Sequence, residues 1–257
     1  MASGEDELLE IALVAARAAA AELLPRFGKS VEVRSKSTPT DLVSEADEAA
    51  ETAIRAVLAQ RRPQDAILGE EGGATGDGDL RWVVDPLDGT INYLFGIPQW
   101  GVSVACEDAD GGLVGVVLDA VREECFTATR SGPAQLNGVT IAPSGREDLA
   151  TALVSTGFGY DADVRARQAQ VLARVLPQVR DIRRAGAAAL DLAWLACGRL
   201  DGYWERGVKA WDIAAGGLLC RRAGLVIAEL PESEDGPWGI CAGPETIVAQ
   251  LRALVLP

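Results

Sequence analysis

Carboxylates stand at three places where an apolar run meets a turn or a helix start. The first is Gly69-Glu70-Glu71-Gly72-Gly73. The second is Trp82-Val83-Val84-Asp85-Pro86-Leu87-Asp88-Gly89-Thr90-Ile91-Asn92-Tyr93. The third is Lys209-Ala210-Trp211-Asp212-Ile213-Ala214-Ala215-Gly216. Carboxylates brought to one point repel one another unless cations lie among them. These donors are hard oxygens with no clustered His or Cys, which favours magnesium or manganese over zinc.

The stretch Asp85-Pro86-Leu87-Asp88-Gly89-Thr90 is the most informative. Pro86 fixes the backbone as it leaves a strand, so Asp85 and Asp88 can converge on one side of the turn. Gly89 permits close approach of backbone to a ligand. Thr90 is placed to open a helix whose first N–H groups hold a phosphate. Taken singly, each acid has an ordinary explanation: Asp85 as turn or cap chemistry, Glu70 and Glu71 as solvated loop charge, Asp212 as a helix cap behind a core Trp211. The recurrence of one pattern in three segments is what favours a shared site.

Composition narrows the chemistry further. The chain of 257 residues contains no histidine. That excludes a Ser-His-Asp triad, a phosphohistidine, a His-ligated zinc and any imidazole acid or base. Proton traffic must then run through carboxylates, hydroxyls, lysines, thiols or cation-bound water. The net charge of −14 argues against a nucleic-acid partner. An anionic substrate remains compatible with it if a cation reverses the local field. The five cysteines are scattered with no C-x-x-C pair, and read as reduced, mostly buried thiols. The apolar run over residues 8–24 is interrupted by Glu10, Arg17 and Glu22, so it reads as an amphipathic helix and neither a signal peptide nor a membrane span. The expectation is a soluble, cytoplasmic protein with no membrane contact.

These groups need elements to position them. Leu9, Leu13, Ala16, Ala20, Leu24 and Phe27 trace one stripe of a first helix ending near Gly28. A short strand over residues 31–34 follows, then Ser44 with Asp47 three residues on, which marks the start of a second helix. Residues 66–68 and 82–84 are buried strands ending in acids, and residues 100–106, 113–118 and 124–129 are further strands of a mostly antiparallel sheet. Beyond residue 150 the pattern alternates. Strands fall at 152–156, 202–205, 225–228 and 240–242, with helices at 163–176, 187–197, 211–222 and after Pro244. Such alternation indicates helices layered on sheet, an α+β fold. No linker interrupts the chain, so a single domain over residues 1–257 is expected, with lobes at 1–145 and 146–257.

The sequence resembles the inositol monophosphatase family of magnesium-dependent, lithium-sensitive phosphatases. The resemblance lies in Gly69-Glu70-Glu71, in Asp85-Pro86-Leu87-Asp88-Gly89-Thr90 and in Trp211-Asp212-Ile213-Ala214-Ala215-Gly216. It extends to residues 36–47 with Asp41-Leu42-Val43-Ser44-Glu45-Ala46-Asp47, to Leu136-Asn137-Gly138 and to residues 186–205. It thus spans nearly the whole chain in order.

The resemblance implies a layered α/β/α/β/α sandwich of the inositol monophosphatase and fructose-1,6-bisphosphatase type. It implies two or three magnesium ions per site, with manganese a possible substitute, held by Glu70, Asp85, the Leu87 carbonyl, Asp88 and Asp212. Thr90 would hydrogen-bond Asp47 and, with Glu70, orient the attacking water, while Glu71 supports the ligands. Gly89 and Thr90 would hold the phosphate. Gly186, Ala188, Glu205, Lys209 and Asp212 would meet the substrate, and Lys36 would lie near the site. The implied reaction is hydrolysis of inositol 1-phosphate by direct in-line attack of water. Fructose 1,6-bisphosphate, histidinol phosphate and 3′-phosphoadenosine 5′-phosphate are alternative substrates, and a non-catalytic interaction protein of the same fold is the alternative of another class. A homodimer is expected. One departure is Ile91, where many relatives have Thr; it is expected to alter packing under the loop. The run around Asp85 superficially resembles haloacid-dehalogenase phosphatases, but those need two Asp separated by one residue, and Pro86 and Leu87 occupy the required places.

Overall fold

A computed structural model of the protein describes residues 4–29, 33–35, 42–234 and 236–256. Lys36 and Asp41 lie outside the described residues, as do Val31 and Glu32 of the first expected strand.

Two helices open the fold, α1 (Gly4–Leu23) and α2 (Glu45–Arg61), with a short hairpin of β1 (Val33–Ser35) and β2 (Leu42–Ser44) between them. The start of α2 is fixed locally. The Ser44 hydroxyl accepts the Ala46 N–H at 3.2 Å, and Asp47 accepts the Ser44 N–H at 2.9 Å, so two of the orphan donors at the helix end are satisfied. The buried face of α1 differs from the stripe read in the sequence. It is Leu8, Ile11, Ala12, Ala15, Ala16, Ala19, Ala20 and Leu23, while Leu9 and Leu13 are only partly buried and Leu24 is exposed. Its five alanines, Ala12, Ala15, Ala16, Ala19 and Ala20, let α2 and the sheet approach closely between Leu8, Ile11 and Leu23.

The next elements are β3 (Ala66–Gly69), β4 (Gly73–Thr75), β5 (Arg81–Asp88), α3 (Thr90–Leu94), β6 (Gly101–Asp108), β7 (Gly111–Asp119), β8 (Glu124–Thr129), β9 (Gln135–Leu136) and β10 (Val139–Thr140). They form an eight-stranded sheet in the order β10-β9-β8-β7-β6-β5-β3-β4. Its pairings are antiparallel except β3 with β5, which run parallel with Gly69 opposite Val84. Glu70, just past the end of β3, therefore stands beside Asp85 on β5. The β5–β6 register shifts between Asp85 and Asp88, where Pro86 cannot donate to the ladder.

The second half contributes β11 (Leu153–Thr156), α4 (Ala162–Val175), β12 (Asp181–Arg183), α5 (Ala188–Ala196), β13 (Gly202–Arg206), α6 (Ala210–Arg222), β14 (Val226–Leu230), β15 (Gly239–Gly243) and α7 (Glu245–Val255). Its five strands are ordered β12-β11-β13-β15-β14, parallel around β11 and antiparallel around β15. Helices α5 and α6 pack between the two sheets, α1 and α2 cover the outer face of the larger sheet, and α4 and α7 cover the smaller one. Three apolar clusters fill the four gaps of this five-layered α/β/α/β/α sandwich. The central layer is tight: a Cβ on Gly216 would stand 2.7 Å from the Leu192 Cβ, and one on Gly115 would stand 3.0 Å from the Ala215 Cα. Helix α6, which carries Asp212 in its first turn, is thereby pinned against both α5 and the sheet.

Candidate active site

Four elements deliver carboxylates to one cavity of about 490 Å³ between the two sheets. Glu70 comes from the end of β3, Asp85 and Asp88 from β5, Glu205 from β13 and Asp212 from α6. Leu87, Gly89, Thr90, Gly186, Ala188 and Lys209 line the same cavity. Asp47 stands behind it, and Ile91 is half-buried on α3 without lining it.

Asp85, Asp88 and Asp212 are held by backbone donors near them. Asp85 accepts the Leu87 N–H at 3.0 Å. Asp212 accepts the Lys209 N–H at 2.6 Å. Asp88 accepts the Ala188 N–H at 3.1 Å and the Ala189 N–H at 2.7 Å. Helix α5 has no side-chain cap of its own at Ala187, so Asp88 caps it from the other sheet. Gly89 sits at φ 91°, a left-handed conformation that lets β5 turn at once into α3. The Thr90 hydroxyl lies 3.0 Å from the Asp47 carboxylate and 3.1 Å from the Leu87 carbonyl. Glu205 accepts the Tyr203 hydroxyl at 2.8 Å. Asn92 donates to the Gln99 carbonyl at 2.7 Å and the Ala185 carbonyl at 2.8 Å, which ties α3 to the loop carrying Gly186.

The electrostatics follow from this crowding. Burial raises the Asp85 carboxyl well above its ordinary range, reinforced by the charges of Glu70, Asp88 and Asp212 and opposed by the Leu87 N–H. Burial also lifts Asp88 to about 7, against the bonds from Ala189 and Ala188 and with the help of Glu205 and Glu70. Asp212 is raised by burial and then by Asp88. Glu205 is raised by burial, with Tyr203 and Arg184 pulling it back.

Among the described residues no three Asp, Glu, Cys or His side chains form a ready-made metal cage. The carboxylates instead face one cavity from separate elements. Their donor chemistry and mutual repulsion fit oxygen-seeking divalent cations, which would remove the cost of keeping them charged.

Several residues at the site had no signature in the sequence. Arg184 lines the cavity, its guanidinium 6.0 Å from the Phe158 ring and close against Gly186, where a Cβ would overlap it. Phe158, Gly159, Tyr160 and Asp161 form a loop along one wall. Asp191 is buried on α5, and its carboxyl is raised well above the ordinary range by burial, then by Glu205 and Asp88. Glu51 and Arg55 hold the turn that carries Glu70. A Glu or Arg on an amphipathic helix looks like any solvated face. Only the four-residue spacing from Asp47 could have drawn attention to Glu51.

The sequence profile described as "Inositol monophosphatase family" matches residues 5–252. The chain is 41% identical over 232 residues to a Mycobacterium tuberculosis protein named inositol-1-monophosphatase SuhB, covering 86% of this chain and 80% of that one. It is 44% identical over 237 residues to a Pseudomonas aeruginosa protein named Nus factor SuhB, covering 89% of this chain and 87% of that one. The solved structure of inositol monophosphatase from Anabaena (Nostoc) sp. PCC 7120 superposes with a TM-score of 0.85 at 32% identity, over 99% of this chain and 98% of that one.

Proposed function

The chain belongs to the inositol monophosphatase family, and from that premise we propose that it is a magnesium-dependent phosphatase whose foremost substrate is inositol 1-phosphate. Membership supports phosphatase activity on small phosphate esters. The observation that carries the finer reading is the cavity itself. Glu70, Asp85, Asp88 and Asp212 line it together, beside a Thr90 hydroxyl held on Asp47.

Glu70, Asp85, the Leu87 carbonyl, Asp88 and Asp212 would hold two or three magnesium ions, which supply positive charge to the phosphate and acidity to a water. The protein's own groups do the rest. The Thr90 hydroxyl has one proton and two acceptors in reach. Donation to the Asp47 carboxylate, the stronger acceptor, turns the oxygen's lone pairs toward the cavity to accept from the attacking water. Glu70 orients that water from the other side. The Gly89 and Thr90 N–H groups take phosphate oxygens, so attack is in line and no covalent phospho-enzyme is needed. Glu205 accepts hydrogen bonds from substrate hydroxyls, with Tyr203 fixing its carboxylate. Gly186 and Ala188 line the ring, with the Arg184 guanidinium close against Gly186, and Lys209 offers positive charge to the phosphate or the ring hydroxyls.

The reading is tested by phosphate release from a substrate panel, with and without chelator. Magnesium-dependent turnover with inositol 1-phosphate at the highest kcat/KM is expected. A large preference for histidinol phosphate, fructose 1,6-bisphosphate or 3′-phosphoadenosine 5′-phosphate would move the substrate while leaving the chemistry intact. We also propose a cytoplasmic homodimer, checked by light scattering at working concentration. None of the described helices is long and apolar enough to cross a membrane.

The name of the Pseudomonas relative, Nus factor SuhB, favours a second reading, a non-catalytic interaction protein of the same fold. An Asp85→Asn variant that keeps full cellular function while losing phosphate release would support it.

A further inference from the structure

Three residues on α2 are spaced by four, Asp47, Glu51 and Arg55, and so lie along one stripe of the helix. All three reach loops that carry the site. Asp47 meets the Thr90 hydroxyl at 3.0 Å. Glu51 is 2% exposed, and its carboxylate accepts the Glu71 N–H at 2.7 Å and the Gly72 N–H at 2.8 Å. Arg55 donates to Glu51 at 2.7 Å, to the Gly73 carbonyl at 2.7 Å and to the Thr75 hydroxyl at 3.0 Å. From Asp47 to Arg55 the helix axis advances about 12 Å.

We infer that this stripe is a positioning device: one rigid helix holds the Asp85–Thr90 turn at one end and the Glu70–Gly73 turn at the other, and so fixes Glu70 relative to Asp85 before any cation arrives. The inference rests on the proposed role of Glu70 as a magnesium ligand. The turn is built to close on the clamp. A Cβ on Gly69 would overlap the Glu51 carboxylate, and one on Gly72 would stand 2.7 Å from Glu51 Oε1 and 2.8 Å from Arg55 Nη2. Neither glycine has a positive φ, so what each supplies is space. Bonds to a buried carboxylate are stronger than neutral ones, and Arg55 compensates its charge. A clamp of this kind lowers the ordering needed when ligands meet a cation.

The bland alternative is that Glu51 only stabilises the β3–β4 hairpin. Magnesium affinity separates these, with hydrogen exchange reporting the clamp itself. In metal-free protein, Glu51→Gln should speed hydrogen exchange at the Glu71 and Gly72 amides at least tenfold, with the amides of α2 and β5 unchanged. Calorimetry should show magnesium bound about tenfold more weakly, or ~1.4 kcal/mol, and saturating magnesium should recover most of kcat. Glu48→Gln, on an exposed part of the same helix and paired with Arg34, should match wild type in both. Gly72→Ala pushes the turn off the clamp without altering α2, and should weaken magnesium binding in the same way even if Glu51→Gln fails to fold. Wild-type magnesium affinity in Gly72→Ala, or in a folded Glu51→Gln, overturns the inference alone. Wild-type protein that takes up no magnesium overturns the proposed function and the inference together.

Discussion

The Asp88 carboxylate accepts the Ala189 N–H at 2.7 Å, so a residue of the eight-stranded sheet caps a helix a hundred residues later in the chain. The same carboxylate faces the cavity with Glu70, Asp85 and Asp212. It therefore serves packing and chemistry at once, and the two demands conflict when no cation is present. Burial and like charges have lifted it to about 7, so at pH 8 the folded protein holds it ionised at a cost.

Asp88→Asn separates these demands. The amide oxygen still accepts one helix N–H, while the buried charge is gone. In chelator at about pH 8 the variant should melt higher than wild type by ~2–4 °C, the shift that about 1 kcal/mol gives in a chain of this size. Magnesium should raise the melting temperature of wild type and leave the variant nearly unmoved, and kcat should fall at least a hundredfold. A variant that melts lower than wild type in chelator would show that the cap outweighs the repulsion.

Thr90 and Asp47 should behave as one unit, because the hydroxyl at 3.0 Å has its proton directed by that carboxylate. Thr90→Val and Asp47→Asn should each lower kcat by about 10²–10⁴, the range for misplacing a group that handles the reacting proton. The double variant should be little worse than either single one. Thr90→Ser should retain most activity. Additive losses in kcat would mean that the two act separately.

Gly157→Ala should act on substrate recognition more than on the chemistry. Gly157 has no positive φ, so the backbone tolerates alanine, but the added Cβ would overlap the Glu205 carboxylate and force it aside. KM for inositol 1-phosphate should rise about tenfold, equivalent to ~1.4 kcal/mol of lost binding, with kcat changed by less. Turnover of p-nitrophenyl phosphate, which has no ring hydroxyls, should be nearly unaffected. An equal loss on both substrates would remove Glu205 from recognition.

Asp191 gives a pH dependence with a definite sign. Burial, then Glu205 and Asp88, raise its folded carboxyl above the ordinary value of 3.8. The folded protein then binds its proton more tightly than the unfolded chain. Its favourable contribution is complete below that ordinary value and is lost as pH rises through the raised one. Asp191→Asn carries no charge at any pH. Its melting temperature relative to wild type should climb as pH rises from the ordinary value of 3.8 through the raised one. A flat difference across that interval would show that Asp191 keeps its charge at no cost.

Local chemistry was legible in the sequence because it depends on neighbours in the chain. Ser44 with Asp47 announced the start of α2, and that cap is present. Short apolar runs ending in acids announced β3 and β5 with their carboxylates at the strand ends. The absence of histidine restricted the chemistry before any fold was known.

Contacts set by packing were not legible. Nothing in residues 66–88 requires β3 and β5 to run parallel, yet that pairing puts Glu70 beside Asp85. Glu51 and Arg184 carry no motif; their partners lie on other elements. The stripe of α1 differs for the same reason: many of its residues are apolar all round, and which of them are buried is set by where α2 and the sheet pack. The sequence by itself determined which side chains can do chemistry and where strands and helices begin, since propensity, capping and charge act over a few residues. The tertiary structure alone decided which of those side chains share a cavity and which carboxylate holds which turn, since hydrogen bonds between distant segments form only after sheets and helices have packed.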